Sequence, residues 1–265
     1  MRPQTAPFVR AELYGEGEPA LDDPAELFHE ASKLHPALAR RQAAGMARLA
    51  ASEELQAVTA LAIRRNPELP SVQLPAPLEL RCSLTRALAR RASGREFAGE
   101  LDPVTLATLL DAAYGVRSGN RRTVPSGGAL YPLELFVAVR SVSRLAPGVY
   151  RYDARTHALE RHDARNGWPA LEAACPLEGL LEGGAAALLV LAVFGRTRCK
   201  YGQRGYRFAL LEAGHVAQNA VLAAAALDVP ALPLGGFYDA QVDAIVDADG
   251  VDESVVYAVV LGGRA

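Results

Sequence analysis

Residues 186–194, AALLVLAVF, are apolar without a break. A run this short with no polar face reads as a strand covered on both sides, hence a central strand. The rest of the fold must be arranged around it. Soon afterwards, residues 207–227 read as an Ala-rich helix, apolar on more than one face and so expected to be deeply buried. Between these two core elements lies RTRCKYGQRGYRF, residues 196–208, a short link crowded with Arg196, Arg198, Lys200, Arg204 and Arg207. The whole chain has 28 basic and 30 acidic residues, a net charge of −2. That balance excludes a general nucleic-acid binder, so the cations of the link are local devices.

With 265 residues, half of them hydrophobic, the chain can form one large domain with an extension. Residues 1–23 are rich in Pro, Gly and acidic side chains and read as irregular. From Pro24 to Asn66 the pattern is helical, marked by Leu27, Ala31, Leu34, Met46, Leu49, Leu55, Val58 and Leu61. Residues 66–80, NPELPSVQLPAPLEL, hold four prolines and exclude both a helix and a central strand. We therefore expect an N-terminal extension over 1–80 and a main domain over 81–265.

Within the main domain, SLTRALARRAS (83–93) reads as a helix capped by Ser83. LDPVTLATLLDAAYGV (101–116) reads as another, with Asp102 as N-cap, Pro103 at the first helical position and Gly115 at the stop. Strands are expected at 133–140, 186–194, 231–237 and 254–263, and a hairpin at 148–162. Irregular alternation around a hairpin favours an α+β fold. No apolar run reaches the roughly 18–20 residues of a membrane span, and MRPQTAPFVRAEL lacks the apolar core of a secretory signal. Cys82, Cys175 and Cys199 show no C-x-x-C spacing, which fits a reducing compartment. The expectation is a cytoplasmic protein without membrane or nucleic-acid partners.

Three short segments bear on chemistry. RRASGREF (90–97) places Arg91, Ser93 and Arg95 at alternate positions, which share a face where the chain is extended. Two guanidiniums and a hydroxyl make a clamp for phosphate or carboxylate, or else a solvated basic helix end. PSGGALYP (125–132) and LGGF (234–237) each set paired glycines beside a strand, where bare backbone can approach a flat ligand or merely turn. Glu212 and His215 have the spacing of half a carboxylate metal site, but the second half is missing, so no metal is assigned.

Taken together these segments resemble the SagB-type azoline dehydrogenases, a branch of the FMN-dependent nitroreductase superfamily. KYGQRGYRFALLEAGHVAQNAVLAAAAL resembles that branch's lysine–tyrosine motif and following helix. RRASGREF resembles the superfamily's phosphate motif, and PSGGALYP, GVYRYDARTHALE and LGGF follow in matching order. FHEASKLHP (28–36) and LPAP (74–77) resemble the branch's N-terminal region. The resemblance implies the nitroreductase α+β fold, with a central mixed sheet flanked by helices, in a homodimer that binds FMN. It implies phosphate contacts from Arg91, Ser93 and Arg95, with Arg264 as a further candidate. Ring contacts would fall on Pro125, Ser126, Gly127, Gly128, Gly235 and Gly236.

The implied reaction oxidises thiazoline or oxazoline rings of a ribosomal peptide to thiazoles or oxazoles, in partnership with a cyclodehydratase. A proton leaves the ring's α-carbon and a hydride leaves the neighbouring carbon for flavin N5. Lys200 and Tyr201, read as lying at the end of the central strand, are the implied proton-transfer pair. An ordinary lysine is protonated near neutrality, so burial and the neighbouring Arg198, Arg204 and Arg207 are the expected means of favouring its neutral form. Cys199 is read as packing. Two other readings stay open: an NAD(P)H-dependent reductase, and a non-catalytic scaffold subunit of a peptide-maturation complex.

Overall fold

The computed structural model describes residues 24–33, 39–54, 70–163 and 167–263. Two helices open it, α1 (Pro24–Ala31) and α2 (Ala39–Ala51). Leu34, Leu55, Val58 and Leu61 of the expected helical pattern lie outside the described residues. Among its described residues the proline-rich segment contributes β1 (Ser71–Gln73), an edge strand, as its composition requires. Helix α3 (Leu84–Arg90) starts where the Ser83 hydroxyl accepts from the Arg86 amide. Helix α4 (Pro103–Tyr114) starts at Asp102, whose carboxylate accepts from the Val104 and Thr105 amides, and stops at Gly115. Both starts follow the capping signals in the sequence.

Strands β2 (Leu133–Val139), β3 (Gly148–Asp153) and β4 (Ala158–Asp163) come next, with β3 and β4 forming the expected hairpin. Then follow α5 (Trp168–Ala173), β5 (Gly184–Val193), α6 (Gly195–Tyr201), α7 (Gln203–Leu227), β6 (Ala231–Leu234), α8 (Asp239–Ile245) and β7 (Glu253–Gly262). The seven strands form one sheet in the order β1-β4-β3-β2-β5-β7-β6. AALLVLAVF is thus central, flanked by β2 and β7. The sheet expected to be mixed is antiparallel at every pairing. Strand β5 lies beside β2 in the opposite sense, and β7 separates β5 from β6, which run the same way, so no two neighbours are parallel.

Helices cover both faces. On one, Leu106, Leu109 and Leu110 of α4 join Ala213, Val216 and Ala220 of α7. On the other, Trp168 and Leu171 of α5 join Val242 and Ile245 of α8. Helix α7 has the length and apolarity of a membrane span, but one long stripe of it, from Gly205 to Ala224, is buried in this core. It is not buried all round, because Leu210 and Leu211 are exposed.

The link 196–208 is itself helical, which the sequence reading missed. Gly202, with φ +57°, separates α6 from α7. Lys200 and Tyr201 therefore sit in the last turn of a short helix after the strand, not at the strand's end. A β-carbon added at Gly205 would stand 2.6 Å from the Thr197 carbonyl carbon, so the two helices meet backbone to backbone.

Candidate active site

Strand register gathers several of the expected residues at one end of the sheet. Leu133 at the start of β2 pairs with Ala192 near the end of β5, and Ala192 pairs with Ser254 near the start of β7. Leu234, the last residue of β6, pairs with Ala258 of β7. Hence residues 125–132, helix α6 and Gly235–Gly236 all leave the sheet at this end. The Val193 amide donates to the Pro132 carbonyl at 2.8 Å, tying the glycine loop to β5.

The loop and the lysine–tyrosine pair are in direct contact. Gly128 has φ +65°, and a β-carbon there would stand 2.6 Å from the Tyr201 hydroxyl and 2.7 Å from Lys200 Nζ. Both the backbone conformation and the space call for glycine. At Gly127 a β-carbon would meet the Phe208 ring at 3.1 Å. The Tyr201 ring packs edge-on against Phe208, and Lys200 Nζ lies 5.3 Å from the Tyr201 ring centre. Pro125 and Gly128 are exposed. Gly235 and Gly236 are also exposed, with the Tyr257 ring beneath Gly235 and open space at Gly236.

Ser126 was expected to face a ring, but its hydroxyl turns inward and accepts from the Tyr131 amide at 2.9 Å. It also faces Glu212, the residue that sequence reading undervalued. The Glu212 carboxyl is buried beneath the loop and accepts from the Tyr114 hydroxyl at 2.7 Å. Arg122 stacks on the Tyr114 ring, 4.1 Å from its centre, and the Arg122 amide donates to the Tyr131 hydroxyl. Burial pushes the Glu212 pKa from 4.5 up to about 7, while hydrogen bonds from Ser126 and Tyr114 and the Arg122 charge pull the other way. Burial likewise holds the Tyr114 hydroxyl well above its ordinary value, so Tyr114 stays a donor. His215 is exposed and does not join Glu212. The available signal was a carboxylate on the buried face of a helix, where ionisable side chains are rare without a task.

This burial sets a pH dependence. A folded-state pKa above the unfolded value adds stability below about pH 4.5, and that contribution is lost as pH rises to about 7. The size is about 3 kcal/mol for a shift of this order. Glu212→Gln keeps a polar group and cannot ionise. Denaturant titrations at pH 5 and pH 8 should therefore show a smaller pH-dependent loss in the variant than in the parent. Equal losses would mean that Glu212 does not carry the effect.

Further along β6 lies the expected anion clamp. After α3 the chain is no longer helical, and the Gly94 amide donates to the Ala231 carbonyl at 2.9 Å, at the start of β6. Ala92, Gly94 and Glu96 line a cleft of about 430 Å³ with Val221 and Pro230. The alternate set Arg91, Ser93 and Arg95 therefore faces away from that cleft. Arg90 pairs with Asp228, whereas Arg91, Ser93 and Arg95 form no side-chain hydrogen bond or ion pair among the described residues. Four residue steps, about 13 Å, separate this end of β6 from Gly235. Unpartnered donors at one end and open backbone at the other fit a cofactor with a phosphate and a planar ring. Arg264 lies outside the described residues.

A family model described as "Nitroreductase family" matches residues 88–263, from the clamp to the last strand. The chain belongs to the nitroreductase family. A relative from Methanocaldococcus jannaschii, the nitroreductase-named protein MJ1384, is 37% identical over 179 residues, covering 66% of this chain and 88% of that protein. The microcin B17-processing protein McbC of Escherichia coli is 34% identical over 144 residues. That match spans about half of each chain, 49% in both cases. A chain of the E. coli microcin synthetase McbBCD complex, solved with truncated pro-MccB17 bound, superimposes with a TM-score of 0.58 at 24% identity. The superposition covers 97% of both chains, so the fold likeness includes the N-terminal helices.

Proposed function

We propose that this nitroreductase-family chain is an FMN-dependent azoline dehydrogenase that aromatises thiazoline or oxazoline rings in a ribosomally made peptide. The observation that carries the reading is the contact of Lys200 Nζ and the Tyr201 hydroxyl with Gly128 in the glycine loop. In this reading Arg91, Ser93 and Arg95 hold the FMN phosphate. Gly127, Gly128, Gly235 and Gly236 offer bare backbone to the ring system, with Pro125 at the rim and Ser126 fixing the loop. Bound FMN supplies the two-electron acceptor that the oxidation requires. The Lys200 side chain takes the proton from the ring's α-carbon. The Tyr201 hydroxyl, beside it, orients the amine and the substrate. The electron pair of the neighbouring C–H bond leaves as hydride, two electrons and two hydrogens depart in all, and dioxygen serves as the terminal oxidant.

The named relative McbC, a microcin-processing protein, supports a peptide substrate, and we propose a cyclodehydratase as the partner. We further propose a homodimer, since exposed Leu84 and Leu88 of α3 and Leu210 and Leu211 of α7 give a second copy apolar surface to cover. The alternative reading, an NAD(P)H-dependent reductase, is favoured by the resemblance to MJ1384. Mass spectrometry of an azoline peptide incubated with FMN-loaded protein and air separates the two. The expected result is a loss of about two mass units per ring, one pair of hydrogens for a two-electron oxidation. An unchanged peptide mass together with rapid flavin bleaching by NAD(P)H would assign the chain to the reductases.

A further inference from the structure

Lys200 and Tyr201 also line a second cleft, whose other lining residues this reading does not use. It has a volume of about 280 Å³ and lies between α1–α2 and the α6–α7 turn. Among the described residues its charged lining is Lys33, Arg48, Arg198, Lys200 and Arg204, with no carboxylate. Glu30 neutralises Lys33 through an ion pair. Arg48, Arg198, Lys200 and Arg204 have no ion pair among the described residues, in a chain whose net charge is −2.

The cleft is held in place from both sides. Arg204 donates to the Ser32 carbonyl at 3.1 Å, and Arg207 reaches the His29 carbonyl and the Ser32 hydroxyl. Phe28 packs edge-on against Tyr206. Helix α2 sits so close that a β-carbon on Gly45 would be 2.7 Å from the Lys200 carbonyl oxygen. Arg204 Nε is buried with no hydrogen-bond partner among the described residues, an orphan donor on a residue that lines the cleft. Arg48 and Arg198 are exposed at its mouth.

We propose that this cleft binds the carboxylate side chain of an acidic residue that flanks the reacting ring in the peptide substrate. The inference rests on the azoline reading for the position of the ring. Lys200 both meets Gly128 and lines the cleft, so a peptide whose ring lies at Lys200 has a neighbouring residue within reach of the arginines. Guanidinium groups suit a carboxylate through paired hydrogen bonds. The space admits one acidic side chain with part of its backbone.

The test is equilibrium binding, read by fluorescence anisotropy with FMN-loaded protein. The probes are fluorescein-labelled azoline peptides that differ only in one residue next to the ring, Asp or Asn. The Asp peptide should bind about tenfold more tightly, the scale of one charge-assisted hydrogen bond. The preference should shrink at about 0.5 M salt, where exposed charges are screened. The Arg48→Ala/Arg198→Ala double variant changes only exposed side chains, so it should fold, keep its FMN and lose the preference. Equal affinities for the two peptides, no measurable binding of the Asp peptide, or a preference that survives in the double variant would each overturn the proposal. A bound Asp peptide that never loses mass would instead overturn the dehydrogenase reading and leave the subsite standing.

Discussion

Lys200→Ala should keep its bound FMN and lose ring oxidation by about a hundredfold to ten-thousandfold, the usual contribution of a positioned general base. The Lys200 side chain forms no hydrogen bond or ion pair among the described residues and lies 5.3 Å from the Tyr201 ring centre. Its removal therefore costs the fold little. Lys200→Arg separates two roles for the side chain. An arginine restores the charge but does not release its proton, so it should be as inactive as alanine if Lys200 is the base. Recovery of activity in the arginine variant would make the residue an electrostatic anchor. FMN absorbance and the peptide mass change, measured on the same samples, distinguish loss of cofactor from loss of chemistry. Full oxidation by the alanine variant would remove Lys200 from the mechanism.

The sequence displayed those parts of the fold that are encoded locally. Asp102, Pro103 and Gly115 mark the two ends of α4, and the unbroken apolar run marks β5. Helix α6 was invisible for a physical reason. It is fixed by close backbone approaches at Gly205 and Gly45 instead of by an apolar stripe, so its sequence has no helical period to detect. Strand direction was also hidden, because side-chain patterns report burial and not the sense of the neighbouring strand. In the site, alternation was enough to group Arg91, Ser93 and Arg95. The partnership of Glu212 with Tyr114 joins residues 98 positions apart, and no local pattern encodes it.

The arginines of the link turn out to have separate tasks. Arg204 and Arg207 fasten the N-terminal helices, and Arg198 is exposed. Arg196, in the first turn of α6, belongs to a buried ion network. It donates to Glu134 of β2 at 2.7 Å, and Arg151 of β3 reaches the other oxygen of the same carboxylate at 3.3 Å and Glu160 of β4 at 2.6 Å. Glu134 is the shared centre, with 7% of its surface exposed. Breaking a buried pair strands a charge away from water at a cost of about 3–5 kcal/mol.

Glu134→Ala should therefore lower stability by about that amount, read as a fall in the denaturant midpoint at unchanged slope. Arg196→Ala should cost less, because Glu134 would still have Arg151 while in the converse variant Arg196 keeps no carboxylate. The order of the two losses is the decisive measurement. Equal or reversed losses would mean that Glu134 is not the hub. Arg196 sits in the first turn of α6, one turn before Lys200, so the same carboxylate that holds β2 to β3 also fixes the helix that carries the proposed base. Glu134→Ala should accordingly slow ring oxidation even at temperatures where it remains folded, since a small misplacement of a catalytic group is costly.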